Sequence, residues 1–162
     1  MRLFAKSAFL KNCPGPYFYR PGREGVDDTY DVYCLASENH IISTYYWEAE
    51  EDARRIAGIV TAALNRQAGG CELDGEDFAE HLAYLRTNYP GPYRTYPDTC
   101  PLHGPFIGVW CGSTGDLVVL CVHVGKPTAA RYTAAMIAHS LNALVGHQTL
   151  VRRTLRRVFP VR

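Results

Sequence analysis

The sequence predicts an α+β fold in which two tandem ββα units form antiparallel sheet with packed helices, joined by a linking helix and closed by a C-terminal helix. Three observations carry this prediction. Asn12-Cys13-Pro14-Gly15-Pro16-Tyr17 returns as Asn88-Tyr89-Pro90-Gly91-Pro92-Tyr93, identical at five of six positions at an offset of 76. Val32–Asn65 laid over Val109–Asn142 at an offset of 77 is identical at seven of 34 positions, among them Cys34/Cys111, Arg54/Arg131 and Asn65/Asn142. Each copy then shows two short β-branched and aromatic runs followed by an apolar stripe of helical period. Two matches whose offsets differ by one inserted residue read as a tandem duplication, which has to be settled before other fold reasoning.

The elements follow in order. Asp31–Ala36 and Ile41–Trp47 read as strands around the turn Ser37-Glu38-Asn39-His40. Their counterparts are Ile107–Cys111 and Leu117–Val124, around a Gly- and Asp-containing turn suited to positive φ. The first helix opens with Glu48, Glu50, Glu51 and Asp52 at the positive end of its dipole. Ala53, Ile56, Ala57, Val60 and Leu64 form its buried stripe. The second helix enters through Pro127 and buries Ala130, Thr133, Ala134, Ile137 and Leu141. Asn65 and Asn142 read as residues at the left-handed helix ends. Outside the repeat, Asp74–Thr87 is a linking helix with Phe78, Leu82 and Leu85 on one side. Thr149–Phe159 is a C-terminal helix with Val151, Leu155, Val158 and Phe159 opposite Arg152, Arg153, Arg156 and Arg157. The chain therefore divides into residues 1–70, 71–87, 88–146 and 147–162. Two arrangements bury the stripes: one four-stranded antiparallel sheet covered on one face, or two small sheets facing across a pseudo-two-fold axis.

Length and composition narrow the function classes. The 162 residues suffice for one domain or a duplicated small one, at roughly 100–200 residues per domain. With 47% hydrophobic and 20% charged residues, a disordered tail, a collagen-like fibre and a coiled-coil rod are excluded. A net charge of +1 argues against a broadly basic nucleic-acid coat. No run approaches the ~18 apolar residues of a membrane helix. The first eleven residues lack a secretory apolar core, and the six cysteines lie partly in apolar runs, so the expected setting is reduced and cytoplasmic, inside a bacterial host cell.

Several features could carry chemistry. The Pro-Gly-Pro-Tyr loops combine stiff backbone with rings: Tyr17, Phe18 and Tyr19 in the first copy, Tyr93 and Tyr96 in the second. They read either as binding surface or as turns whose Tyr packs on the neighbouring helix. Tyr45-Tyr46-Trp47 sends rings to both sheet faces, leaving Trp47 a candidate contact residue. Cys100-Pro101-Leu102-His103 has a Cys-x2-His spacing, with Cys111 and Cys121 downstream, but structural zinc requires a second close pair. Cys111, Asp116 and His123 could compose a nucleophilic site, yet the first copy has Cys34, Asn39 and Tyr46 instead. No catalytic residue, metal site or cofactor is assigned. The four arginines of the C-terminal helix could meet phosphates, an acidic protein surface or simply water.

The stretch Ala53-Arg54-Arg55-Ile56-Ala57-Gly58-Ile59-Val60-Thr61-Ala62-Ala63-Leu64-Asn65 resembles the closing helix of many small phage and prophage accessory proteins. The resemblance covers thirteen residues and implies a mobile-element protein that binds host or phage machinery, a group that includes anti-CRISPR-like inhibitors of host defence. The expected function is non-enzymatic binding of a host protein or ribonucleoprotein complex, plausibly inhibiting a bacterial immune system. Its contact residues would be Tyr17, Tyr19, Tyr93, Tyr96, Trp47, Arg152, Arg153, Arg156 and Arg157. The alternatives are nucleic-acid binding by the arginine helix and a small cysteine-dependent enzyme. No membrane partner is expected, and the chain would be a monomer or a homodimer.

Overall fold

In a computed structural model of the chain, the described residues are 8–22, 29–45, 49–69, 76–101, 104–121 and 127–147. In order they form α1 (residues 8–12), β1 (Tyr17–Pro21), β2 (Thr29–Cys34), β3 (His40–Tyr45), α2 (Glu50–Ala68), α3 (Glu76–Asn88), β4 (Tyr93–Cys100), β5 (Gly104–Cys111), β6 (Leu117–Cys121) and α4 (Pro127–Leu144). The α+β class and the packed helices are as expected. The sheet is single but six-stranded, with all neighbours antiparallel in the order β1-β2-β3-β6-β5-β4. The two added strands are β1 and β4, which start at the Tyr of each Pro-Gly-Pro-Tyr sequence.

Why these prolines sit in strands is answered by the edge. Cys34 gives its N–H to Asn39 on the β3 side, so the Tyr17↔Cys34 pair shares no hydrogen bond and Tyr17 turns its polar groups outward. Alternation then turns Pro21 outward too, where a missing N–H costs the ladder nothing. The same argument, from the Cys111 N–H bonded to Asp116, places Tyr93 and Pro97 outward on β4.

The outward peptide at Tyr17 is capped by Asn65, which accepts its N–H at 2.7 Å and donates to its carbonyl at 3.0 Å. Asn142 does the same for Tyr93, at 2.8 and 2.9 Å. Asn65 and Asn142 are thus buried polar residues, not helix ends. α2 runs on to Ala68 and stops at Gly69 (φ 75°), and α4 runs to Leu144 ahead of Gly146 (φ 82°). On β4 the Thr99 N–H is also taken, by Asp98 Oδ1 at 2.7 Å. Both edges therefore offer few free donors to an added strand, which is how native sheets avoid edge-to-edge growth.

The helices pack on one face. Ile56, Val60 and Leu64 of α2 and Ile137 and Leu141 of α4 join Val32, Cys34, Val109, Cys111 and Val119 in one buried cluster. Burying each of the larger side chains contributes about 1.5–3 kcal/mol. α2 and α4 pack against each other as well as against their own strands, and α3 packs on α2. Arg55 of α2 bonds Glu80 of α3 at 2.8 Å, an exposed pair that water screens and that adds little to stability. Acidic residues occupy the first turn of α2 as expected, although Ala49 provides no side-chain cap.

β3 and β6 share a single paired position, Ser43↔Leu120, at the junction of the two halves. None of the described helices is long and apolar enough to cross a membrane.

Candidate functional site: the sheet face opposite the described helices

The Pro-Gly-Pro-Tyr turns are structural. Gly15 and Gly91 sit at φ 87° and 85°, backbone that favours glycine. Their amides donate to Cys34 Sγ at 3.3 Å and Cys111 Sγ at 3.4 Å. Tyr17 and Tyr93 are only 4% and 3% exposed, and their hydroxyls donate to the Cys13 and Tyr89 carbonyls. Neither ring offers surface to a partner, so the expectation that these two make contacts is corrected in favour of packing. Tyr19 is half-buried on the helix side, against Tyr30. Tyr96, 49% exposed, lies on the other face. Trp47, Arg152, Arg153, Arg156 and Arg157 lie outside the described residues.

The turn cysteines Cys34 and Cys111 are equally internal. Burial raises the Cys111 thiol, but hydrogen bonds from Ser113, Thr114 and the Gly91 amide outweigh it and bring the pKa to about 7. Cys34 is lowered in the same way, by Ser37 and the amides of Gly15, Ser37 and Ala36. Both side chains are 0% exposed, so their polarised sulfurs serve as acceptors within the turns. Cys121 is buried and its pKa raised by desolvation. Cys100 is half-buried at the end of β4, and His103 and His123 lie outside the described residues. Among the described residues no three His, Cys, Asp or Glu side chains are grouped to hold a metal.

Strand alternation puts a second set of side chains on the face away from the helices. In the first half these are Phe18 and Arg20 of β1, Thr29, Asp31 and Tyr33 of β2, and His40 and Ser43 of β3. Asp31 is the hub. It accepts from Ser43 at 2.6 Å, from Thr29 at 3.2 Å and from Tyr33 at 3.2 Å, with His40 Nε2 3.7 Å away. The Tyr33 ring stacks on Phe18 (5.6 Å between centroids), lies under the Arg20 guanidinium (4.5 Å) and meets the edge of His40 (5.3 Å). Each aromatic pair is worth about 0.5–1.5 kcal/mol, and an exposed cation–π contact about 0.5–1 kcal/mol. The cluster is thereby fixed in place while Arg20 and His40 stay exposed.

Register assigns the equivalent positions in the second half. Asp31↔Ser43 corresponds to Gly108↔Leu120, Tyr33↔His40 to Trp110↔Leu117, and Phe18↔Tyr33 to Arg94↔Trp110. Here the face is apolar. A Cβ on Gly108 would lie 2.3 Å from Trp110 Nε1 and 2.7 Å from Leu117 Cδ1, so the indole rests directly on the glycine. Trp110 Nε1 is buried with no hydrogen-bond partner among the described residues. Leu120 and Phe106 are 5% and 7% exposed, while Arg94 and Tyr96 project at the β4 rim.

Sequence reasoning found Tyr96 on this face and missed Phe18, Arg20, Asp31, Tyr33 and His40 as a group. The signal was present as period-two alternation in Tyr30–Cys34, but it became legible only once β1 was known to pair with β2. No family model matches the chain, nor does any curated protein or solved structure.

Proposed function

We propose that the chain is a non-enzymatic recognition protein that engages a protein or ribonucleoprotein partner through the face of its sheet opposite the described helices. The observation that carries this reading is the Phe18–Arg20–Tyr33–His40 cluster, an aromatic and arginine group of the kind that dominates interface energetics. Asp31 fixes the Tyr33 hydroxyl, and Phe18, Arg20 and His40 pack on that ring, so less side-chain entropy is lost on binding. Both sheet edges are largely capped, which favours docking on the face over strand addition. Among the described residues of the two edge strands, this face presents Arg20 and Arg94 alongside Asp98, a balance that suits a partner surface bearing carboxylates. A base-stacking platform is less well supported, because the Tyr33 ring already contacts Phe18, Arg20 and His40. The helix resemblance extends the proposal to a mobile-element protein that acts on a bacterial host complex and blocks an immune system.

The test is capture of partners by tagged protein expressed in bacteria, with nuclease treatment and an Arg20→Ala/Tyr96→Ala variant run in parallel. A stoichiometric protein complex that survives nuclease and is lost in the variant supports the proposal. Equal capture by both proteins, or recovery of nucleic acid alone, overturns it.

A further inference from the structure

Two side chains of the second half are buried outside the helix-covered core. Phe106 of β5 and Leu120 of β6 are 7% and 5% exposed, yet neither belongs to the cluster that α2 and α4 cover. Alternation puts both on the opposite face of the sheet, in a strip that Trp110 and Leu117 continue. Trp110 Nε1 is likewise closed off from water. The matching strip of the first half carries Asp31, Ser43 and His40, which bond one another. An apolar strip has no such polar partners and is stabilised by being covered.

The chain itself supplies a cover of suitable length. Of the stretches outside the described residues, 148–162 is the longest, at 15 residues. It follows His147, whose Nε2 lies 2.9 Å from the Pro90 carbonyl oxygen and whose ring rests on Gly91. The next residue, Pro92, accepts the Gly112 amide at 2.8 Å, so His147 is pinned at the end of the sheet where Trp110 sits. As the helix that their sequence predicts, Thr149–Phe159 would measure about 16 Å. The strip from Trp110 to Phe106 is four residues of strand, about 13 Å.

We infer that residues 149–159 dock on the β5–β6 strip as an intramolecular cover, through Val151, Leu155, Val158 and Phe159. The occupant is the chain's own C-terminal segment. Docked this way, Arg152, Arg153, Arg156 and Arg157 turn to solvent on the side of the sheet that carries Arg94. The docking is independent of any partner that the first-half cluster engages.

The test uses the full chain. Benzophenone placed at Leu155 is expected to give an intramolecular crosslink to a peptide within residues 104–121. The same group at Arg156, on the other side of the segment, is expected to give none. The chain has two tryptophans, so a Trp47→Phe background isolates the emission of Trp110. There Leu155→Asp is expected to shift that emission to longer wavelength, and Arg156→Gln to leave it unchanged. A crosslink from position 155 to the helices, a crosslink between two copies, or no crosslink overturns the inference. So does an emission spectrum that Leu155→Asp leaves unchanged.

Discussion

The two halves of the sheet share a frame and differ in what the frame displays. The glycine-to-cysteine bonds, the asparagine caps and the outward prolines recur at matching positions with distances within a few tenths of an ångström. On the face opposite the described helices the same lattice holds Asp31, His40 and Ser43 in one half and Gly108, Leu117 and Leu120 in the other. Residues that satisfy the backbone are fixed by the fold, because every alternative leaves a buried N–H or C=O unpaired. Side chains on the face opposite the described helices carry no such obligation, and there one half has a polar hub where the other has an indole lying on glycine.

The comparison breaks most readily at its shared part. Asn65→Ala and Asn142→Ala each leave a buried N–H and C=O without partners, and each should cost on the order of 2–4 kcal/mol. Urea denaturation of both variants checks this. Similar losses are expected; a half that tolerates its substitution does not depend on the cap.

The frame was only partly legible in the sequence. The α2 and α4 stripes, the acidic first turn of α2 and the single sheet as one of two arrangements follow from periodicity. β1 and β4 were hidden because Pro-Gly-Pro-Tyr reads locally as turn, and Pro21 and Pro97 argue against a strand until an edge position is known. Asn65 and Asn142 read locally as helix ends because a lone Asn near a following glycine fits that role. Their true partners, Tyr17 and Tyr93, lie 48 and 49 residues away. The open-face cluster needed register across three strands, which spacing alone does not provide.

The differing part is sharpened by substitutions on the face. Asp31→Ala removes the acceptor shared by three hydroxyls and should cost about 1–3 kcal/mol in the same denaturation measurement. Gly108→Ala, at the matching position, pushes into Trp110 and should cost about 1–3 kcal/mol by overpacking, with a change in tryptophan emission. If Gly108→Ala leaves both stability and emission unchanged, the indole does not rest on the glycine.

A smaller effect concerns α3, which has no counterpart among the described residues of the second half. His81, 3% exposed between α2 and α3, has its pKa lowered by burial and by the Arg54 charge, with Asp77, Glu80 and Glu51 opposing. The folded state therefore favours the neutral ring. Its contribution is intact above the unfolded histidine value of about 6.5 and is lost as the pH falls from there through the lower folded value. Stability measured between pH 8 and pH 5 should fall less steeply in His81→Gln than in the parent chain. Parallel profiles would show that His81 does not titrate across unfolding.

The most direct test of the face as the recognition surface is photo-crosslinking inside bacteria. A benzophenone side chain is placed at Tyr96, on the face opposite the described helices, or at Tyr132, 39% exposed on α4. One discrete protein adduct from position 96 and none from position 132 is the predicted result. Adducts from position 132 alone would put the partner on the helices and contradict the account.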